Sequence, residues 1–61
     1  MNTEALIKKM AEKKIEPGML AEKINVSKIF VYYLMNGQRE PSLNVAKAIA
    51  DTLECTVDEL I

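Results

Sequence analysis

Few residues in this chain could make or break bonds. It contains no His and a single Cys, Cys55, so neither an intramolecular disulfide nor a Cys/His metal site can form. No Ser/His or Cys/His arrangement is available for nucleophilic catalysis, and the two glycines make no phosphate-cradling loop. Enzymatic activity, a cofactor and a small-molecule ligand are therefore not expected, and Cys55 reads as a small apolar residue rather than a reactive thiol. The chain offers recognition chemistry instead, gathered in one stretch. Lys28, Ile29, Tyr32 and Tyr33 lie within six positions of one another, with Arg39 shortly after. An ammonium, two phenols and a guanidinium donate hydrogen bonds, and Ile29 supplies apolar contact.

The segment Pro17–Gly37, PGMLAEKINVSKIFVYYLMNG, must position that set. Leu20 and Ile24 are one helical turn apart, and Val31 and Leu34 are one turn apart on a second helix. INVS between them is too short for a loop, and Asn25 is too polar to continue a helix. The pattern predicts two short helices, about Pro17–Ile24 and Ser27–Met35, crossing steeply over a tight turn. Ala21 is small where the second helix must approach the first. Asn25 suits a left-handed turn conformation, and Ser27 caps the following helix. Val31, Leu34 and Met35 then face inward, which leaves Lys28, Ile29, Tyr32, Tyr33 and Asn36 facing outward. Phe30 is expected to fold sideways onto Leu34 and the preceding helix.

The remaining elements are short helices around this pair. Residues 3–14 read as the first, capped by Asn2 or Thr3, with Leu6 and Met10 inward and Ile7 ambiguous. Asn36-Gly37 ends the recognition stretch, with Gly37 free to take positive φ. Gln38–Pro41 is a loop. Ser42 caps a further helix with Leu43, Ala46, Ile49, Ala50 and Leu53 inward. Thr56 and Glu59 form a capping box that opens a last helical turn carrying Val57, Leu60 and Ile61. No strand-like alternation or internal repeat occurs. The expected fold is all-α: a compact five-helix bundle, residues 1–61 forming one domain.

At 61 residues the chain supports one small core, since such a domain buries only about 60% of its unfolded surface. The net charge is −1, but the distribution is polar. Residues 1–39 hold seven basic residues against four Glu, and residues 40–61 hold Lys47 against five acids. One side can thus face phosphate while the other faces solvent; the alternative is ordinary solvated helix faces. No apolar run reaches membrane-spanning length, and Lys and Glu throughout residues 1–15 argue against a signal peptide. A cytoplasmic location and no membrane partner are expected.

With its elements placed, the chain resembles the lambda-repressor-like, Xre-type helix-turn-helix family of phage repressors, Cro proteins and small bacterial regulators. The resemblance rests on LAEKINVS, on NGQREPSL at Asn36–Leu43, and on AKAIADTLECTVDEL at Ala46–Leu60. It implies that the third helix lies in the major groove of double-stranded DNA. The family's base-reading positions correspond to Lys28, Ile29 and Tyr33, with Tyr32 beside them. Lys28 would donate to guanine O6/N7, and Ile29 would pack on a thymine methyl. Phosphate contacts would come from Ser27, Asn36, Gln38 and Arg39, and from Ser42 and Asn44 at the next helix start. Two departures stand out. Relatives carry a polar cap and a Gln where this chain has Glu16 and Pro17, and an Arg–Glu pair where it has Met10 and Met35. The two Met residues are expected to touch.

Two functions follow. The first is a sequence-specific DNA-binding transcriptional regulator, a phage-type or bacterial repressor that occludes a promoter as a homodimer on a pseudo-palindrome. The dimer contact would involve Val57 and Ile61, with Leu60 closing the core, and no separate dimerisation domain is expected. The second is a protein-interaction module on the same fold, antirepressor- or antitoxin-like, using the apolar face of Ile29, Phe30, Tyr32 and Tyr33.

Overall fold

Every α-helix in this chain ends the same way, and those endings set the fold. The computed structural model describes residues 1–61, as four α-helices: α1 (Thr3–Glu12), α2 (Pro17–Ile24), α3 (Lys28–Met35) and α4 (Leu43–Thr52). A 3-10 turn, Val57–Leu60, takes the place of the expected fifth helix. After each α-helix one residue adopts a left-handed conformation: Lys14 (φ 55°), Asn25 (φ 61°), Gly37 (φ 81°) and Glu54 (φ 55°). The following N–H then reaches back to a helix carbonyl. Ile15 donates to Met10, Val26 to Ala21, Gln38 to Tyr33 and Cys55 to Ala50, each at 2.9 Å. This closure satisfies carbonyls that a helix end leaves unpaired and reverses the chain sharply. Ile15, Val26 and Cys55 are thereby turned onto the core.

The helix starts follow equally local rules. Asn2, Ser27 and Ser42 each accept a hydrogen bond from the N–H three residues on, at 3.1, 3.1 and 3.3 Å. The cap of α1 is thus Asn2, not Thr3, and α1 stops at Glu12 rather than residue 14. Ser27 is the cap of α3, whose first helical residue is Lys28. At the 3-10 turn the Glu59 carboxylate accepts from the Thr56 N–H at 2.8 Å and from its hydroxyl at 3.2 Å.

The core is a single cluster of Leu6, Met10, Leu20, Ala21, Val31, Leu34, Ile49, Ala50, Leu53 and Leu60. α2 packs on α3 and α4, α1 packs on α3, and the 3-10 turn closes the base against α1 and α4. Ala21 is buried on α2, which packs on both α3 and α4, and its small side chain allows close helix approach. The Asn2 N–H donates to the Leu60 carbonyl at 2.7 Å, and Lys9 meets Glu59 at 3.3 Å, so α1 is tied to the closing turn. Met10 is buried and Met35 is half-buried against the cluster, and both border one groove. Neither lies in solvent, in keeping with the expected pairing, which avoids the desolvation cost of a buried ion pair.

One residue expected inside is outside. Leu43 is 64% exposed, although Ala46, Ile49, Ala50 and Leu53 on its stripe are all buried. It occupies the first position of α4 at the edge of the core, and Val45 packs inward instead. Ile7, ambiguous by pattern, is 45% exposed. No helix is long and apolar enough to cross a membrane.

Candidate nucleic-acid interface

The outward face of α3 is supported from beneath by apolar packing. Val31 and Leu34 have essentially no exposed surface, and Phe30 and Met35 pack half-buried beside them. Phe30 is therefore part of the core margin, as its position suggested. Helical geometry then directs the intervening residues away from the domain. Lys28, Ile29, Tyr32 and Tyr33 are all exposed, Ile29 most among the three apolar or aromatic residues at 63%. These are the four residues the sequence singled out as base-facing, and the fold places all of them on one ridge.

The turn between α2 and α3 holds that ridge at its angle. Asn25 is in the left-handed region at φ 61°, ψ 50°, and the Asn25 and Val26 N–H groups close onto Glu22 and Ala21. Asn tolerates this conformation because its short side chain adds little crowding. At the other end of α3, Gly37 at φ 81° lets the chain fold back, so that Gln38 and Arg39 both donate their N–H to the Tyr33 carbonyl, at 2.9 and 3.3 Å. The loop carrying Gln38 and Arg39 is thus anchored to the helix that carries Tyr33.

The residues expected at phosphate, Ser27, Asn36, Gln38, Arg39, Ser42 and Asn44, are all exposed. Three of them share a useful polarity. Ser27 Oγ, Ser42 Oγ and Asn36 Oδ1 accept from the Phe30, Val45 and Gln38 N–H groups. Each spends an acceptor inside the fold, which leaves a hydroxyl or amide donor for an outside acceptor. Phosphate oxygens are acceptors only, so this arrangement matches them. The cations divide in a related way. Lys9 pairs with Glu12 and Glu59, and Lys13 with Glu54, on the side of the closing turn. Lys28 and Arg39 take part in no ion pair, and neither do Lys8, Lys14, Lys23 and Lys47.

Lys28 has a side-chain position that sequence spacing does not predict. Its Cδ and Cε lie 3.8 Å from the point where a Cβ on Gly18 would sit, so the stem leans across the start of α2. Its ammonium lies 5.9 Å from the centre of the Tyr32 ring, at the edge of cation–π range. The start of α2 is poor in donors. Pro17 has no N–H, and the Glu16 side chain makes no capping bond.

Two apolar features lie away from α3. A groove of about 280 Å³ is bordered by Pro41, Leu43, Ala46, Val57, Leu60 and Ile61. Ile61 is 74% exposed, Val57 is half-buried, and Leu60 closes the core. Cys55 is half-buried among helix ends, and burial together with nearby Glu59 holds its thiol above the usual range, which suits an inert packing residue.

Comparison with known proteins agrees with this geometry. A family model described as helix-turn-helix matches residues 6–60. No curated protein and no solved structure matches the chain. The matched span takes in the core of α1, the α2–turn–α3 unit, α4 and the closing 3-10 turn, and the chain belongs to the lambda-repressor-like, Xre-type helix-turn-helix family of DNA-binding regulators.

Proposed function

We propose that this protein is a sequence-specific repressor of the small phage-repressor or Cro type, acting with α3 in the major groove of B-DNA. The observation that carries the reading is the construction of α3. Its inner side is locked by Val31 and Leu34, and its outer side presents Ile29, Tyr32 and Tyr33 beside donors that have no partner within the fold. An α-helix fits the major groove, and only its outer side chains reach base edges. Ile29 packs on a thymine methyl, and the tyrosine hydroxyls reach base or phosphate oxygens. Ser27, Asn36, Gln38, Arg39, Ser42 and Asn44 grip the backbone and set the register.

Binding is as a dimer on a pseudo-palindrome, with two α3 helices about 34 Å apart in successive major grooves. The self-contact uses Val57 and Ile61, joined by Leu43, whose exposure beside them widens the apolar surface. Occupancy of the site blocks a promoter. The test is selection of binding duplexes from a random pool, followed by fluorescence anisotropy over a salt series. Affinity should fall steeply with salt as counter-ions are released. Binding weaker than about 1 mM on every duplex at low salt would refute it. One observation favours a second reading, in which the same face docks a protein: Ile29, Tyr32 and Tyr33 together expose unusual apolar surface for a DNA-reading helix. In that case the anisotropy experiment fails and the Ile29 face is protected by a protein partner instead.

A further inference from the structure

We propose that Lys28 grips a backbone phosphate beside the start of α2, where Pro17 offers no N–H, and reads no base. The proposal rests on the DNA-binding reading above and changes the role that spacing alone assigns to this residue. By position Lys28 is the first residue of α3, where a straight side chain would enter the groove and donate to guanine. The side chain is not straight. Its stem lies against Gly18 on α2, with Cδ and Cε 3.8 Å from the position of a Gly18 Cβ, and its ammonium lies 5.9 Å from the Tyr32 ring. A Cβ on Gly18 would stand at ordinary van der Waals distance from the stem, so the lean toward α2 does not depend on the glycine.

Three further facts bear on what the ammonium meets. The charge is unneutralised: Lys28 takes part in no ion pair, as is also true of Lys8, Lys14, Lys23 and Lys47. The start of α2 lacks the Pro17 N–H, and the exposed Glu16 carboxylate places a negative charge there. Without a compensating cation, a phosphate approaching this end of α2 would meet repulsion and one fewer donor. A Lys ammonium is a compact point charge with three donors, suited to phosphate oxygens but without the planar fork that selects one base. The ridge is then divided. Ile29 and Tyr33 carry sequence preference, and Lys28 sets affinity and register from the α2 side.

The experiment compares wild type, Lys28→Ala and Lys28→Gln on a panel of duplexes differing from the selected site by single base pairs, each over a salt series. Lys28→Gln keeps the stem and removes the charge. Expected are an about tenfold loss per half-site, equal on every duplex, and a salt slope about two units shallower for the dimer, which carries two Lys28 residues, the same for both variants. A loss concentrated at one base pair, with a changed rank order across the panel, would overturn the proposal in favour of base reading. An unchanged salt slope in Lys28→Gln would overturn it too, because a phosphate contact must release counter-ions. Failure of the wild type to bind any duplex overturns the DNA-binding reading itself, and the two failures are told apart by the wild-type lane alone. Circular dichroism melts of both variants should match wild type, since the residue is exposed.

Discussion

Ile29 allows the DNA-reading face to be tested one methyl group at a time. The side chain is 63% exposed in the free protein, so little of its surface is used by the fold and most is available to a ligand. Thymine presents the only methyl group in the major groove, at C5. Burying one methyl-sized apolar group is worth about 0.8 kcal/mol, or roughly fourfold in affinity per half-site. On a palindrome with both half-sites engaged, the two add to about 1.6 kcal/mol, roughly fifteenfold. The design is a double-mutant cycle: wild type and Ile29→Ala, each against the selected duplex with thymine or with deoxyuridine at the contacted position. Deoxyuridine removes the methyl and keeps every hydrogen-bonding group. Wild type should prefer thymine by the stated factor, and Ile29→Ala should bind both duplexes alike. The readout is anisotropy at fixed salt, with thermal melts expected to coincide within about 0.5 kcal/mol for an exposed substitution. Additive losses, in which Ile29→Ala is impaired equally on thymine and deoxyuridine, would show that Ile29 does not meet a thymine methyl at all.

Other consequences are equally direct. Arg39→Ala should weaken binding on all sequences alike, by about 1.5–3 kcal/mol per half-site for a charge-assisted contact, and competition across the duplex panel would expose any base preference instead. Lys14→Gly should stabilise the fold by about 1 kcal/mol, because a Lys at φ 55° bears a left-handed strain that Gly does not, and a Tm no higher than wild type would refute that account. Leu43→Lys or Ile61→Lys should abolish cooperative occupancy of two half-sites while leaving single half-site binding intact; sedimentation and gel shift together check this. The Glu59 carboxylate is held below its ordinary value of 4.5, first by the Thr56 N–H and then by Lys9. Its contribution is therefore complete above pH 4.5 and lost as pH falls through the lower folded value. Melts of wild type and Glu59→Gln should diverge above that pH and converge below it, and a gap constant with pH would exclude the mechanism.

The groove beside Leu43 and the ridge of α3 differ in how they are built. The ridge is exposed because its helix is pinned from the opposite side, so its apolar residues cannot be withdrawn. The groove lies between the start of α4 and the 3-10 turn, where Leu43 and Ile61 remain exposed. In the complex proposed above, DNA would meet α3 and the second copy would meet Leu43, Val57 and Ile61.

Much of the framework was legible in residue order alone. Ser27, Ser42 and Asn2 cap helices through bonds to backbone three residues away, and Asn25 and Gly37 are types that accept a left-handed conformation. The α2 span Pro17–Ile24 agreed to the residue, because Pro at its start and Asn at its end act within one turn. The outward set Lys28, Ile29, Tyr32 and Tyr33 followed from period 3.6 once Val31 and Leu34 were inward. Tertiary structure decided the rest. Lys14 and Glu54 are poor left-handed residues, and they adopt that conformation because Ile15 and Cys55 beyond them are drawn onto the core. Leu43 shares the stripe of α4 yet lies outside, since the edge of a core depends on where other helices end. Lys28 leans toward Gly18 at the start of α2, ten positions earlier in the chain. Local hydrogen bonding and periodicity are written in neighbouring residues, whereas the limits of burial and the lean of a long side chain depend on what another helix brings near.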